Sequence, residues 1–136
     1  MEENSATNGI QNEKILIVED DVIIGELYVN SLSELGYQVT WARDGKSGLA
    51  AALQETYDII LLDIMMPGKN GATVLKELRG NGDKVPNSKV IVFTNLAQDD
   101  ETRDAMSEYA DDYLIKADIT PRQLIAKINQ LLSKNE

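Results

Sequence analysis

Residues 58–71 read Asp-Ile-Ile-Leu-Leu-Asp-Ile-Met-Met-Pro-Gly-Lys-Asn-Gly. The first five, 58–62, make the most apolar strand-like run, as expected for a strand covered on both faces and central in its sheet. Asp63 ends that run. Residues 66–71 are turn chemistry. A helix carrying Val74, Leu75 and Leu78 comes next. Strand, turn and helix in this order make up the repeating unit of a parallel α/β sheet.

The unit recurs on both sides. Residues 14–18, Lys-Ile-Leu-Ile-Val, form another β-branched run. A helix follows with Ile24, Leu27, Tyr28, Leu32 and Leu35 on one stripe, closed by Gly36 as its C′ residue. Residues 37–41 alternate and suit a half-exposed edge strand. Asp44 caps a helix with Leu49 and Leu53 at i, i+4. Residues 80–88 are a loop, and residues 89–93 a fourth strand. The segment 99–109 is a polar, weakly amphipathic helix, expected to pack most loosely. Residues 112–115 are a fifth strand. The last helix opens with a capping box, Thr120 at the N-cap, Pro121 at N1 and Gln123 at N3. Its apolar face is Leu124, Ile128, Leu131 and Leu132. Five strands alternating with five helices predict a doubly wound parallel sheet. Residues 1–12 are polar without an apolar period and read as a flexible tail. The folded domain is therefore expected over 13–134.

Length and charge narrow the function. A chain of 136 residues is one domain. With 13 basic and 23 acidic side chains the net charge is 13 − 23 = −10. That balance argues against direct nucleic-acid binding, because phosphate contacts need Lys and Arg. The chain has no Cys and no His. It therefore has no disulfide, no thiolate metal site, no Cys nucleophile, and neither the commonest general base nor the commonest zinc ligand. The aliphatic run 59–62 is far below the ~20 residues of a membrane span. No signal peptide is visible. A soluble cytoplasmic protein without membrane contact is the expectation, and the initiating Met with its polar tail suggests a natural start.

Open α/β sheets bind ligands beyond the carboxyl ends of their strands, at a switch in strand order. In the order 2-1-3-4-5, strand 2 is an edge. It ends in Trp41-Ala42, with nothing obviously chemical. The four contiguous strands end in Glu19-Asp20-Asp21, Asp63, Thr94 and Lys116. Each has an ordinary explanation alone: a turn Asp, a helix cap (the main role expected of Asp21), a loop hydroxyl, a solvated Lys. Their joint placement argues for a site. Carboxylates on neighbouring strands repel unless a cation joins them. A hard divalent ion such as Mg²⁺ fits oxygen ligands of this kind. With Lys116 and Thr94 added, the set forms a cradle for a phosphoryl group. A carboxylate can accept that group covalently, and positioning with charge neutralisation would do most of the catalysis. Asp63 is the best acceptor, being central and alone at its strand end.

These segments resemble the receiver domain of bacterial two-component response regulators, over residues 14–132. The resemblance is carried by Ile15-Leu16-Ile17-Val18-Glu19-Asp20, by Asp63-Ile64-Met65-Met66-Pro67-Gly68-Lys69-Asn70-Gly71, by Val92-Phe93-Thr94 and by Tyr113-Leu114-Ile115-Lys116. It implies a flavodoxin-like fold and Mg²⁺ as cofactor. It implies Asp63 as phosphoacceptor and second metal ligand, Asp20 as direct ligand, Glu19 as a ligand through water, and the Met65 backbone oxygen completing the protein ligands. Thr94 matches the switch hydroxyl, Lys116 the phosphate-binding lysine, and Tyr113 the switch aromatic. The implied donor is a histidine kinase or phosphotransfer protein. The implied output is a downstream protein partner, reached through helix 4, strand 5 and helix 5. Such a domain is not an enzyme beyond self-phosphotransfer and slow autodephosphorylation.

The sequence also departs from the family. Ala117 follows Lys116, where the family usually has a cis proline. A cis bond at a non-proline costs roughly 3 kcal/mol, so a trans peptide or a strained loop is expected. Asn95 replaces a usually small residue and narrows access to the site. Two other function classes fare worse. An aspartyl-phosphate hydrolase needs a second Asp where Met65 stands. A flavin or nucleotide binder needs Gly, Ser or Thr after strand 1, not three acids. An interaction module independent of phosphorylation, or the receiver part of a longer transcriptional regulator, keeps the same fold. Met65 and Leu96 are apolar flanks of Asp63, expected to hinder water and prolong the phosphorylated state. Polar substitution at both positions should shorten the phosphoryl half-life, and an unchanged half-life would remove the idea.

Overall fold

The computed structural model describes residues 13–66, 70–94 and 100–133. The tail 1–12 and residues 95–99, which include Asn95 and Leu96, lie outside the described residues. Five strands, β1 (Lys14–Val18), β2 (Gln38–Ala42), β3 (Ile59–Asp63), β4 (Lys89–Thr94) and β5 (Asp112–Ile115), alternate with five helices. The helices are α1 (Val22–Glu34), α2 (Gly45–Gln54), α3 (Gly71–Arg79), α4 (Asp100–Tyr109) and α5 (Pro121–Ser133), with a 3₁₀ turn over Lys116–Asp118. All the strand pairs are parallel, in the order β2-β1-β3-β4-β5.

Alternation along the strands divides the core in two. Leu16, Val18, Ile60, Leu62, Val90 and Val92 face α2, α3 and α4. Ile15, Ile17, Ile59, Leu61, Ile91 and Phe93 face α1 and α5. Both faces are covered, which is why β1, β3 and β4 read as continuous apolar runs. The expected caps form. Asp21 accepts from the Ile24 amide at 3.0 Å and Asp44 from Ser47 at 2.8 Å. Thr120 and Gln123 bond reciprocally at 3.1 and 2.8 Å. Gly36, at φ 98°, ends α1. Its amide donates to Ser33 O and that of Tyr37 to Leu32 O, a Schellman closure.

Several boundaries and faces differ from the sequence expectation. The edge strand begins at Gln38, not at Tyr37, because the Tyr37 amide closes α1. β3 begins at Ile59, since the Asp58 carboxylate accepts from the Lys14 amide at 2.8 Å. Its other end takes in Asp63, which pairs with Phe93. Leu27 and Leu53, expected on buried stripes, are 43% and 51% exposed. The buried residues are Gly25, Tyr28 and Leu32 on α1, and Gly45, Gly48 and Ala52 on α2. A Cβ on Gly48 would come 2.7 Å from Val18 Cγ1, so α2 approaches the sheet through its small residues. Polar α4 docks through Ala105 and Met106, both buried.

The 80–88 loop is organised by one side chain. The Arg79 guanidinium donates to Ser88 O (2.7 Å), Val85 O (3.3 Å) and Tyr109 O (2.7 Å), and to the carboxylates of Asp111 (2.9 Å) and Asp83 (3.2 Å). Asp111 also accepts from the Val90 amide at 2.7 Å. Arg79 thus ties α3, the loop, α4 and the start of β4 together, with its side chain only 11% exposed. Arg79→Met should lower the free energy of unfolding by about 3 kcal/mol in urea titration, because it orphans buried carbonyls and an acid partner. Arg79→Lys should recover less than half of the loss, since an ammonium cannot span the fork. A loss under about 0.5 kcal/mol for Arg79→Met would refute the clamp.

Candidate functional site

The carboxyl ends of four adjacent strands converge on one acidic depression. Register sets this up: Val18 pairs with Leu62, Asp63 with Phe93 and Thr94 with Ile115. The residues just beyond those pairs therefore meet. Glu19 follows β1 and is 2% exposed, as is Asp63, while Asp20 is half-buried. Glu19, Asp20 and Asp63 each offer a carboxylate oxygen, all within 4.8 Å of one another. Lys116, just past β5, donates from Nζ to Glu19 Oε1 at 3.1 Å and to Asp63 Oδ2 at 3.3 Å. Thr94 is fully buried at the end of β4. The Met65 amide donates to Asp63 Oδ1 at 3.1 Å, while its side chain is 56% exposed.

Beneath the acids the floor is apolar. Lys116 Nζ lies 5.0 Å from the centroid of the Phe93 ring, and Tyr28 packs against Phe93 at 5.6 Å. Burial, reinforced by the charges of Glu19 and Asp63, pushes the Tyr28 hydroxyl far up, so it stays protonated. Tyr113, expected as part of the site, is 56% exposed. The peptide after Lys116 is trans, as expected with Ala117, since no cis bond occurs among the described residues. Asn70 caps α3 by accepting from the Thr73 amide at 3.0 Å. Gly71 sits so close to Asp63 that a Cβ would come 2.4 Å from the Asp63 carbonyl oxygen. The first residue of α3 thus lies against the end of β3.

Sequence reasoning missed Trp41. It is the penultimate residue of the edge strand, yet its indole Nε1 donates to the Glu19 carbonyl at 2.9 Å. The only hint was Gly25 inside a helix, whose missing side chain makes room for the ring. A cavity of about 610 Å³ opens at the opposite end of the sheet beside Arg79 and Asp111. Its guanidinium is already committed to five partners, so its size does not mark it as the chemical site.

Comparison with known proteins decides the family. The response regulator receiver domain model matches residues 15–129. The chain is 36% identical over 121 residues to the probable transcriptional regulatory protein SilR of Salmonella typhimurium, covering 89% of this chain and 51% of SilR. A CheY-like receiver domain protein from Methanospirillum hungatei superposes with a TM-score of 0.76 at 31% identity, over 91% of this chain and 96% of that one. Response regulator TrrA of Thermotoga maritima, solved in complex with Mg(2+)-BeF, superposes with a TM-score of 0.71 at 32% identity, over 88% and 97% of the two chains. The chain belongs to the response regulator receiver family. It spans about half the length of the curated relatives it matches.

The charge balance of this receiver is unusual for a protein interior. Burial and then the neighbouring Glu19 carboxylate push the Asp63 carboxyl from 3.8 up to about 7, against the pull of Lys116 and the Met65 amide. Burial works to lower the Lys116 ammonium, but Asp63 and Glu19 outweigh it and raise the group. With the folded value of Asp63 above its unfolded one, the native state binds its proton more tightly. Metal-free stability contributed by Asp63 is then fully present below about pH 4 and lost as pH rises to about 7. Asp63→Asn should therefore stabilise the metal-free protein at pH 8, by up to about 4 kcal/mol, with a difference that shrinks toward pH 4. Thermal unfolding in EDTA across that range checks it. A constant difference, or a destabilised variant at pH 8, would contradict the assignment.

Proposed function

We propose that this receiver accepts a phosphoryl group on Asp63, in a Mg²⁺-dependent reaction, from a histidine kinase or phosphotransfer protein. The observation that carries this reading is the convergence of three carboxylates on one point, with a single Lys116 ammonium touching the buried Asp63. Hard, closely spaced oxygens with an unmet negative charge suit Mg²⁺. Asp20 and Asp63 would hold it directly, the Met65 backbone oxygen would complete the protein ligands, and Glu19 would act through water. When bound, Mg²⁺ supplies neutralisation of charge on the transferring phosphoryl oxygens.

The remaining chemistry belongs to the chain. An Asp63 carboxylate oxygen forms a bond to phosphorus as the phosphorus–nitrogen bond of the donor breaks, and that electron pair returns to the imidazole. Lys116 pulls Asp63 toward the ionised form that attacks and then binds a phosphoryl oxygen. The Thr94 hydroxyl donates to another. Water attack on phosphorus later releases phosphate and restores the carboxylate. Exposed Tyr113 marks the α4/β5/α5 face as the output surface, biased by a shift between two populations once Thr94 turns toward the phosphoryl group. Site access would be tuned by Asn95 and Leu96. In this reading the protein works in the cytoplasm and touches protein rather than membrane or nucleic acid. No helix among the described residues is long and apolar enough to cross a membrane. Its relatives are about twice as long and named as transcriptional regulators, which favours a second reading as the receiver part of such a regulator.

Intact mass after incubation with Mg²⁺ and acetyl phosphate tests the chemistry. The expected result is a labile gain of one phosphoryl group, absent in Asp63→Asn and in EDTA. A folded wild-type protein that gains nothing would point instead to an interaction module acting without phosphorylation.

A further inference from the structure

We propose that Trp41, on the edge strand, is a positioning residue for Asp20. The inference rests on the reading of the acidic trio as a Mg²⁺ site. The carbonyl that accepts from the indole Nε1, at 2.9 Å, belongs to the peptide joining Glu19 to Asp20. The hydrogen bond therefore fixes the plane from which Asp20 departs, and so the direction of its carboxylate. Asp20 is the least buried of the three acids and relies most on its backbone for orientation. The same strand holds the other side of Glu19, whose amide donates to Ala42 O at 3.0 Å. Both Glu19 carboxylate oxygens are engaged as well, one by the Asp21 amide at 3.0 Å and one by Lys116. Glu19 is thus a fixed pivot, and β2 supplies two of its four ties.

The indole is itself held from two sides. Its ring lies on Gly25 of α1, where a Cβ would meet Trp41 Cζ2 at 2.2 Å. The Arg43 guanidinium sits 5.5 Å from the ring centroid. A Phe or Leu would cover the same apolar surface, but only the N–H reaches the Glu19 carbonyl. Groups that orient metal ligands without touching the ion typically change metal affinity by 10- to 100-fold when lost.

Two measurements on the whole chain test this. The first is Mg²⁺ affinity by calorimetry for wild type, Trp41→Phe, Gly25→Ala and Ile128→Val. Ile128 is fully buried in the α1/α5 core, the layer that Trp41 also packs against, and serves as a control for general destabilisation of that layer. Trp41→Phe should bind Mg²⁺ about tenfold more weakly. Gly25→Ala, which displaces the ring from a distance, should shift affinity in the same direction, and Ile128→Val should leave it unchanged. The second is amide hydrogen exchange without metal. Trp41→Phe should speed exchange at Asp21, whose amide donates to Glu19, relative to the Leu61 amide in the core. Wild-type affinity in Trp41→Phe, or a loss matched by Ile128→Val, would overturn the proposal. So would unchanged Asp21 exchange. Faster Asp21 exchange in Trp41→Phe, together with a wild type that binds no Mg²⁺, would remove the metal-site reading and leave the positioning of the Glu19–Asp20 peptide standing.

Discussion

Two carboxylates buried side by side, with one ammonium between them, set the terms for the structure around them. Glu19 and Asp63 are each 2% exposed, and the trio they form with Asp20 lies within 4.8 Å. At an effective dielectric near 20, two like charges at that separation repel by about 3 kcal/mol. Three carboxylates and Lys116 leave a local charge of −2. A proton on Asp63 relieves part of it, as the raised carboxyl records. A divalent cation would cancel all of it. An interior arranged in this way is unstable in isolation and selective in what it accepts, which is the usual signature of a functional site.

The sheet can hold that charge because its other end is settled. At the amino ends of the strands, Arg79 meets Ser88, Val85, Tyr109, Asp83 and Asp111, so its charge and its directional donors are satisfied together. Between the two ends lie strands whose residues are buried on both faces. The cost of the acidic depression is thus offset by the double-sided core and by the clamp, neither of which takes part in the chemistry. Parallel strands make this division natural, since every crossover returns the chain to the same end before the next strand begins.

Why some of this was legible in the sequence and some was not follows from the same physics. Continuous apolar runs fixed β1, β3 and β4, and the rule that ligands gather at carboxyl ends picked out Glu19, Asp20, Asp63, Thr94 and Lys116 before any distance was known. Side-chain caps such as Asp44 and Thr120 were legible because their signal is local. The buried faces of α3 and α5 were legible too, as Val74, Leu75, Leu78, Leu124, Ile128 and Leu132 show, but those of α1 and α2 were only partly so. A search for large apolar residues selected Leu27 and Leu53, whereas α1 and α2 approach the sheet through Gly25 and Gly48, whose contribution is the absence of a side chain. Arg79 reads as a solvated helix residue until three carbonyls, two from the 80–88 loop and one from the end of α4, surround it. Trp41 escaped for a similar reason, since its partner is a backbone oxygen on another strand.

The alanine after Lys116 raises a question that the geometry answers. If the lysine depended on its following peptide for placement, a trans bond there would be expected to pull the ammonium away from the acids. It does not: Nζ stays within 3.3 Å of Asp63 and 3.1 Å of Glu19, while Lys116–Asp118 close into a 3₁₀ turn. Two features upstream account for this. Pairing of Thr94 with Ile115 delivers the lysine at the level of the site, and the Phe93 ring supports its ammonium from below at 5.0 Å. The long stem then spans the remaining gap with little help from the loop. In this chain the reach of Lys116 is a property of strand register and of the aromatic floor. The loop beyond it is left free to differ from the family without disturbing the charge pair on which the site depends.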